Sequence, residues 1–168
     1  MKKITCILLI LAALLALGAC GKKEAWRTDV PLSTLAETVE KHLDGGSLAA
    51  MQESYLKGAM KMDPSIFAEW LVKINAYGAN IDEYGIFKAP DEAGVAAVKQ
   101  AAEDYLKLRR DSWMEEYMPE EKPKLTQAEV RVCGLYVIYA IVADDVRAPI
   151  LTEFENALKN LSIPARMV

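Results

Sequence analysis

The sequence predicts an α+β fold: a small antiparallel three-stranded sheet, in the order strand-helix-strand-strand-helix, preceded by about three helices. Three observations point there. Apolar residues recur at the helical period between Leu32 and Ile74 and again from Glu92 to Tyr117. The stretches Ala128 to Cys133 and Tyr136 to Ala143 are rich in Val, Ile and Tyr and are separated by Gly134-Leu135, the spacing of a hairpin. Ile81 to Ala89 alternates as a strand ahead of the long helix, and the hairpin return then favours a split arrangement with the third strand between the first two.

The chain opens with MKKITCILLILAALLALGAC. Lys2 and Lys3 precede an uncharged run of 16 residues, Ile4 to Ala19, which has the layout of an export signal. The run is shorter than the roughly 20 residues a spanning helix needs, and no stop-transfer pattern follows it. Leu17-Gly18-Ala19-Cys20 resembles the lipobox of bacterial lipoprotein signals, with Leu three before the acceptor cysteine and small residues at the next two places. The resemblance implies peptidase recognition through Leu17, Gly18 and Ala19, cleavage before Cys20, and a diacylglyceryl thioether on Cys20. Ordinary secretory cleavage after Ala16-Leu17-Gly18 is the competing reading. Residues 1–19 are therefore expected to be a lipoprotein signal peptide, 20–30 a lipidated tether, and 31–168 a single α+β domain with a helical N-terminal part. Two acyl chains hold a protein stably on a bilayer where one does not. Lys22 and Lys23 either meet an anionic surface or serve as ordinary solvated linker.

Pro31 starts the first helix, with Leu32, Leu35, Ala36, Val39 and Leu43 on one face, Thr34 and Glu37 at capping-box spacing, and Asp44-Gly45-Gly46 as its stop. A weaker helix over Leu48 to Met60 gathers Met51, Tyr55, Leu56, Ala59 and Met60, with Gly58 against it. Asp63-Pro64 reads as the cap and first residue of a third helix, whose face is Ile66, Phe67, Trp70, Leu71 and Ile74 and which Gly78 and Asn80 close. In the strand Ile81 to Ala89, Tyr84 and Ile86 point one way and Ile81, Phe87 and Ala89 the other, with Gly85 a candidate bulge. The long helix, about Glu92 to Tyr117, carries Val95, Val98, Ala102, Tyr105, Leu106, Trp113 and Tyr117 on an apolar stripe, while Lys99, Glu103 and Lys107 step along another face. Pro119 stops it, and Glu120 to Gln127 is a loop. Tyr136 to Ala143 is apolar on both faces, the pattern of a central, doubly covered strand. Asp144-Asp145 caps the last helix, which buries Ile150, Leu151, Phe154, Leu158 and Leu161 and tolerates Pro149 only in its first turn.

Without the leader, 149 residues remain, with 18 basic against 24 acidic side chains, a net charge of minus six. That balance argues against a nucleic-acid partner. A chain of this length buries a core without staples. Cys6 leaves with the leader and Cys20 takes the lipid, so Cys133 has no intramolecular disulfide partner and reads as a small buried or turn residue.

Several short stretches, in order, resemble a family of small bacterial lipoproteins catalogued as domain of unknown function forty-three fifty-eight. They are Asp29-Val30-Pro31-Leu32; Asn80 to Asp91 with its Glu83, Ile86, Phe87, Lys88 and Ala89; Tyr117-Met118-Pro119-Glu120-Glu121; and Gly134-Leu135-Tyr136-Val137 ahead of Asp144-Asp145. The resemblance implies an exported, lipid-anchored α+β domain and brings no reaction, substrate or catalytic residue.

The chemistry-bearing residues are few. His42, the only histidine, falls near the end of the first helix, where a cation suits the dipole. No G-x-S-x-G, H-E-x-x-H or glycine-rich phosphate loop occurs. Glu115-Glu116, Glu120-Glu121 and Asp144-Asp145 read as solvated or capping groups, although folding could still bring carboxylates together for calcium or for a glycosidase-like site. No catalytic, metal-binding or cofactor-binding residue is assigned, and no cofactor is expected. Tyr105, Trp113, Tyr117, Tyr136 and Tyr139 read as core or, where a sheet face is only partly covered, as a binding surface. The resulting expectation is a lipoprotein anchored through Cys20 to the outer face of the bacterial cytoplasmic membrane. It would be a non-enzymatic binding or accessory module at the cell envelope, with an envelope protein or glycan as partner. The alternative is a small-ligand sensor or minor hydrolase with a carboxylate-lined pocket.

Overall fold

The computed structural model describes residues 26–43, 47–77, 80–114 and 116–159. The leader, Leu17 to Cys20, the tether up to residue 25, Asp44-Gly45-Gly46, Gly78, Glu115, Leu161 and Pro164 lie outside the described residues. Among the described residues, five strands form one antiparallel sheet in the order β1-β2-β3-β5-β4: β1 Leu48–Ala50, β2 Glu69–Asn75, β3 Glu83–Lys88, β4 Glu129–Cys133 and β5 Tyr136–Ile141. Helices α1 Leu32–Glu40 and α5 Asp144–Leu158 cover one face. The other face lies under α3 Val95–Asp111, with the short α2 Glu53–Gly58 and α4 Lys122–Thr126 beside it. The α+β class holds, and β5 inserts between β3 and β4 as the split arrangement requires. All six residues of β5 are buried, so its apolar character on both faces is explained by helices on both sides.

The sheet has five strands rather than three because the segment read as a second helix opens with a short strand and the one read as a third helix is mostly extended. Leu48–Ala50 pairs with β2 and only Glu53–Gly58 is helical. Asp63 does cap, accepting from Ser65 N–H at 2.9 Å, but the turn that follows is a single 3-10 turn, Pro64–Ile66. Glu69–Asn75 then pairs with β3 along its length. Its apolar residues suit either period, since Trp70, Val72 and Ile74 face α3 while Leu71 faces α1 and α5. Short apolar runs are ambiguous in this way, and sheet pairing decides.

Smaller corrections have local causes. Helix α1 begins at Leu32 behind Pro31, so Thr34 and Glu37 lie inside it and form no capping box. The long helix ends at Asp111, where the Ser112 hydroxyl donates to the Leu108 carbonyl at 2.8 Å, leaving Trp113 and Tyr117 beyond it. The predicted loop contains α4, with Pro123 in its first turn. Asp144 and Asp145 sit in the first turn of α5 rather than capping it, favourably placed for the helix dipole. Pro149 lies past that first turn, where Pro149 itself and Asp145, whose carbonyl its missing N–H leaves free, are exposed. Gly85 is no bulge, because the register runs unbroken through it on both sides.

Two ends of the sheet can now be distinguished. At one, Gly134 adopts φ +60° in the two-residue β4–β5 turn, and Trp26 packs so closely there that a Cβ on Gly134 would meet its Cβ at 2.6 Å. Arg27 N–H donates to the Leu158 carbonyl at 2.8 Å, so the N-terminal stretch enters at this end. At the other end lie the β2–β3 connection, the C-terminus of α3 and the start of α4.

Candidate functional site

Glu83 opens β3 and is 1% exposed, an unusual place for a carboxylate. Four elements build its surroundings. Strand alternation turns Glu83, Gly85 and Phe87 toward α3. Tyr139 stands opposite Gly85 on β5, and its ring lies where a Cβ on Gly85 would come within 2.3 Å of Cε1. The glycine therefore lets the ring cross the strand, which brings the phenol to Glu83 Oε1 at 2.6 Å. Tyr105 and Arg109 are one turn apart on α3, so they share a face. Tyr105 donates to Glu83 Oε1 at 2.6 Å, and Arg109 Nη1 donates to Glu83 Oε2 at 2.7 Å and to the Tyr105 oxygen at 3.2 Å.

Both carboxylate oxygens are thus engaged, which is what a buried charge requires. Burial, then the Glu83 carboxylate, pushes the Tyr105 and Tyr139 hydroxyls well above the ordinary phenol range. Burial lowers Arg109, but Glu83 and Tyr105 together outweigh it and hold the guanidinium above its usual value. The cluster is a set of fixed donors around a fixed acceptor.

A second tier ties α4 to the same end. Lys124 Nζ bridges Asp82 Oδ1 and Glu121 Oε2, each at 2.8 Å, and Glu121 also accepts from Ile81 N–H at 2.9 Å. Between the tiers lies a cavity of about 150 Å³ lined by Ile74, Asn75, Asn80, Ile81, Asp82, Glu83 and Arg109. On the opposite face of the sheet, the Tyr84 hydroxyl donates to Glu40, which pairs with Lys73 at 2.6 Å. Burial and then Glu40 raise that phenol too.

The profile of a domain of unknown function, DUF4358, matches residues 41–142, more than half of the chain. The chain belongs to this family. No curated protein and no solved structure matches it. The DUF4358 span runs from just after α1 to the end of β5 and contains every strand and every member of the Glu83 cluster.

The residues singled out in the DUF4358 sequence fall in scattered places. His42 Nε2 lies 2.9 Å from Glu153 Oε1 on α5, a link between the two helices on one face. Glu121 is buried and paired, Glu116 and Glu120 are exposed, and Asp144 holds Arg147 at 2.6 Å, so among the described residues the members of the acidic pairs do not converge. Cys133 is buried in the core. Among the described residues no three His, Cys, Asp or Glu side chains gather as a metal site, and no helix is long and apolar enough to cross a membrane. Of the aromatics, Tyr105, Tyr136 and Tyr139 are buried, Trp113 is partly so, and Tyr117 is 59% exposed. Among the described residues, the large apolar side chains left exposed are Tyr77, Leu108, Met114 and Tyr117, on segments at the β2–β3 end. Glu83 and Arg109 were not singled out as a pair. The one signal in the sequence was the i,i+4 spacing of Tyr105 and Arg109, a polar residue interrupting the buried stripe of α3.

Proposed function

We propose that this DUF4358 chain is a lipid-anchored, non-enzymatic binding module at the bacterial cell envelope, attached through Cys20 to the outer face of the cytoplasmic membrane. Leu17-Gly18-Ala19-Cys20 at the end of the apolar run supports the anchor. The observation that carries the binding role is that the exposed large apolar side chains among the described residues, Tyr77, Leu108, Met114 and Tyr117, lie on the segments at the β2–β3 end of the sheet. That end is separated from the entry of the tether at Trp26 by the length of β5, about 20 Å at roughly 3.3 Å per residue. A short tether holds the Trp26 end near the bilayer and leaves the apolar end facing outward. A small-ligand sensor is the second reading, favoured by the cavity beside Arg109. The hydrolase version has less support, because the oxygens of Glu83 are occupied and the nearby phenols hold their protons.

The test is photocrosslinking in intact cells from a reactive residue at Tyr117, with the same residue at Asp29 and a Cys20→Ala chain as controls. One envelope protein captured from position 117, and lost from the other two, is the expected result. Equal capture from Asp29, or fatty-acid labelling that survives Cys20→Ala, overturns the reading.

A further inference from the structure

The cavity at the β2–β3 end combines three features that together select a ligand class. The first is its charge balance. Arg109, the cation in its lining, is neutralised by Glu83, and Lys124, which stands behind the lining residue Asp82, is neutralised by Asp82 and Glu121. Two cations stand against three carboxylates, so nothing there attracts a phosphate or carboxylate, and a ligand cation would compete with donors already seated.

The second feature is unspent hydrogen-bonding capacity on planar groups. Asn80 Oδ1 accepts from Asp82 N–H at 3.0 Å and from the Asn75 amide, which fixes the orientation of the Asn80 side chain and leaves its Nδ2 as the available end. Asn80 Nδ2 makes no hydrogen bond among the described residues. Arg109 bonds only through Nη1, so Nε and Nη2 likewise make none among the described residues. Asp82 uses Oδ1 for Lys124 and keeps a second oxygen. These three lining side chains therefore carry both donors and an acceptor beyond the bonds that hold them in place. Hydroxyl groups, which donate and accept at once, are the complementary chemistry.

The third is an exposed aromatic side chain on the backbone that leads into the cavity lining. Tyr77 is 72% exposed, and its backbone N–H is tied to Asn75 Oδ1 at 2.8 Å, so an open aromatic ring is carried two residues from a cavity-lining asparagine. The electron-rich face of such a ring attracts the polarised C–H groups of a non-aromatic ring. A volume of about 150 Å³ admits a single six-membered ring.

We propose that this cavity binds one uncharged sugar ring of an envelope glycan, with Asn80, Asp82 and Arg109 bonding its hydroxyls and Tyr77 lying against its apolar face. The proposal rests on the binding-module reading but fails separately from it. If sugar binding is absent while position-specific crosslinking from Tyr117 is retained, the glycan site alone falls.

The test titrates the full chain, purified in a detergent without a sugar headgroup, with glucose, N-acetylglucosamine, acetate and inorganic phosphate while amide NMR resonances are followed. Saturable shifts with at least one sugar, confined to residues around Asn75, Tyr77, Asn80 to Glu83 and Arg109, are expected, with none for the two anions. Tyr77→Ala, an exposed change that leaves the remaining spectrum intact, weakens sugar binding about threefold to tenfold. Asn80→Ala weakens it as well. Absence of a saturable shift with either sugar, saturable binding of phosphate or acetate, or sugar shifts untouched by Tyr77→Ala overturns the proposal.

Discussion

Alkaline pH should unfold this protein through three tyrosines. Tyr84, Tyr105 and Tyr139 are each at most 2% exposed, and their hydroxyls donate to Glu40 or Glu83. Burial, and then those carboxylates, raises all three above the ordinary 10.0. The sign follows from proton counting. Below the ordinary value both folded and unfolded chains keep the phenol protons, and the stability tied to them is fully present. Above it the unfolded chain releases them while the folded chain does not, so stability falls by about 1.4 kcal/mol per pH unit for each tyrosine. One unit above the ordinary value the three together remove about 4 kcal/mol, a large share of the roughly 5–15 kcal/mol that holds a domain folded. The measurement is a series of urea unfolding curves from neutral to alkaline pH, followed by circular dichroism, with tyrosinate absorbance recorded in parallel. Tyrosinate from the buried residues should appear only as the fold is lost. Reversible ionisation of all seven tyrosines with an unchanged circular dichroism spectrum would refute the reasoning.

Other perturbations have equally definite outcomes. Glu83→Ala leaves Arg109 without its buried partner and should cost about 3–5 kcal/mol in chemical denaturation, whereas adding Arg109→Ala to it costs less than Arg109→Ala alone. Gly85→Ala drives a Cβ into the Tyr139 ring and should destabilise by about 1–3 kcal/mol, partly recovered when Tyr139→Leu is added. Gly58→Ala, at the end of α2 with nothing within 4 Å of the new methyl, should instead stabilise by about 0.4–1 kcal/mol. Thermal midpoints of the two glycine variants moving the same way would show that the close approach at Gly85 does not matter.

Much of the architecture was legible where a pattern ran long enough to have one meaning. Val98, Ala102, Tyr105 and Leu106 form the buried stripe of α3, and Tyr136 to Ile141 is the doubly covered strand. Glu69 to Asn75 departs from the expected helix because Trp70, Leu71 and Ile74 fit a helix face and a strand equally well, and only pairing with β3 separates the two. Gly85 carried a signal whose cause was out of sight: the reason for a glycine there is a ring from β5, more than fifty positions away in the chain. The Glu83 cluster was hidden for the same reason. Its members come from β3, α3 and β5, and nothing in their spacing announces that three donors converge on one carboxylate.

The central position of β5 also means that both of its edges must be covered, one by a near neighbour in sequence and one by a distant one. Tyr136 to Ile141 reads YVIYAI, without charge, proline or glycine, the composition of a segment that self-associates when its edges are open. The two-residue turn at Gly134-Leu135 lets β4 close over one edge as soon as the hairpin forms, a local step. The other edge waits for β3, which precedes the whole of α3 and α4 in sequence. Until that long loop closes, the β4–β5 hairpin exposes its most adhesive strand, and Glu129 and Arg131 on β4 are the charges that keep the already covered side from recruiting another chain.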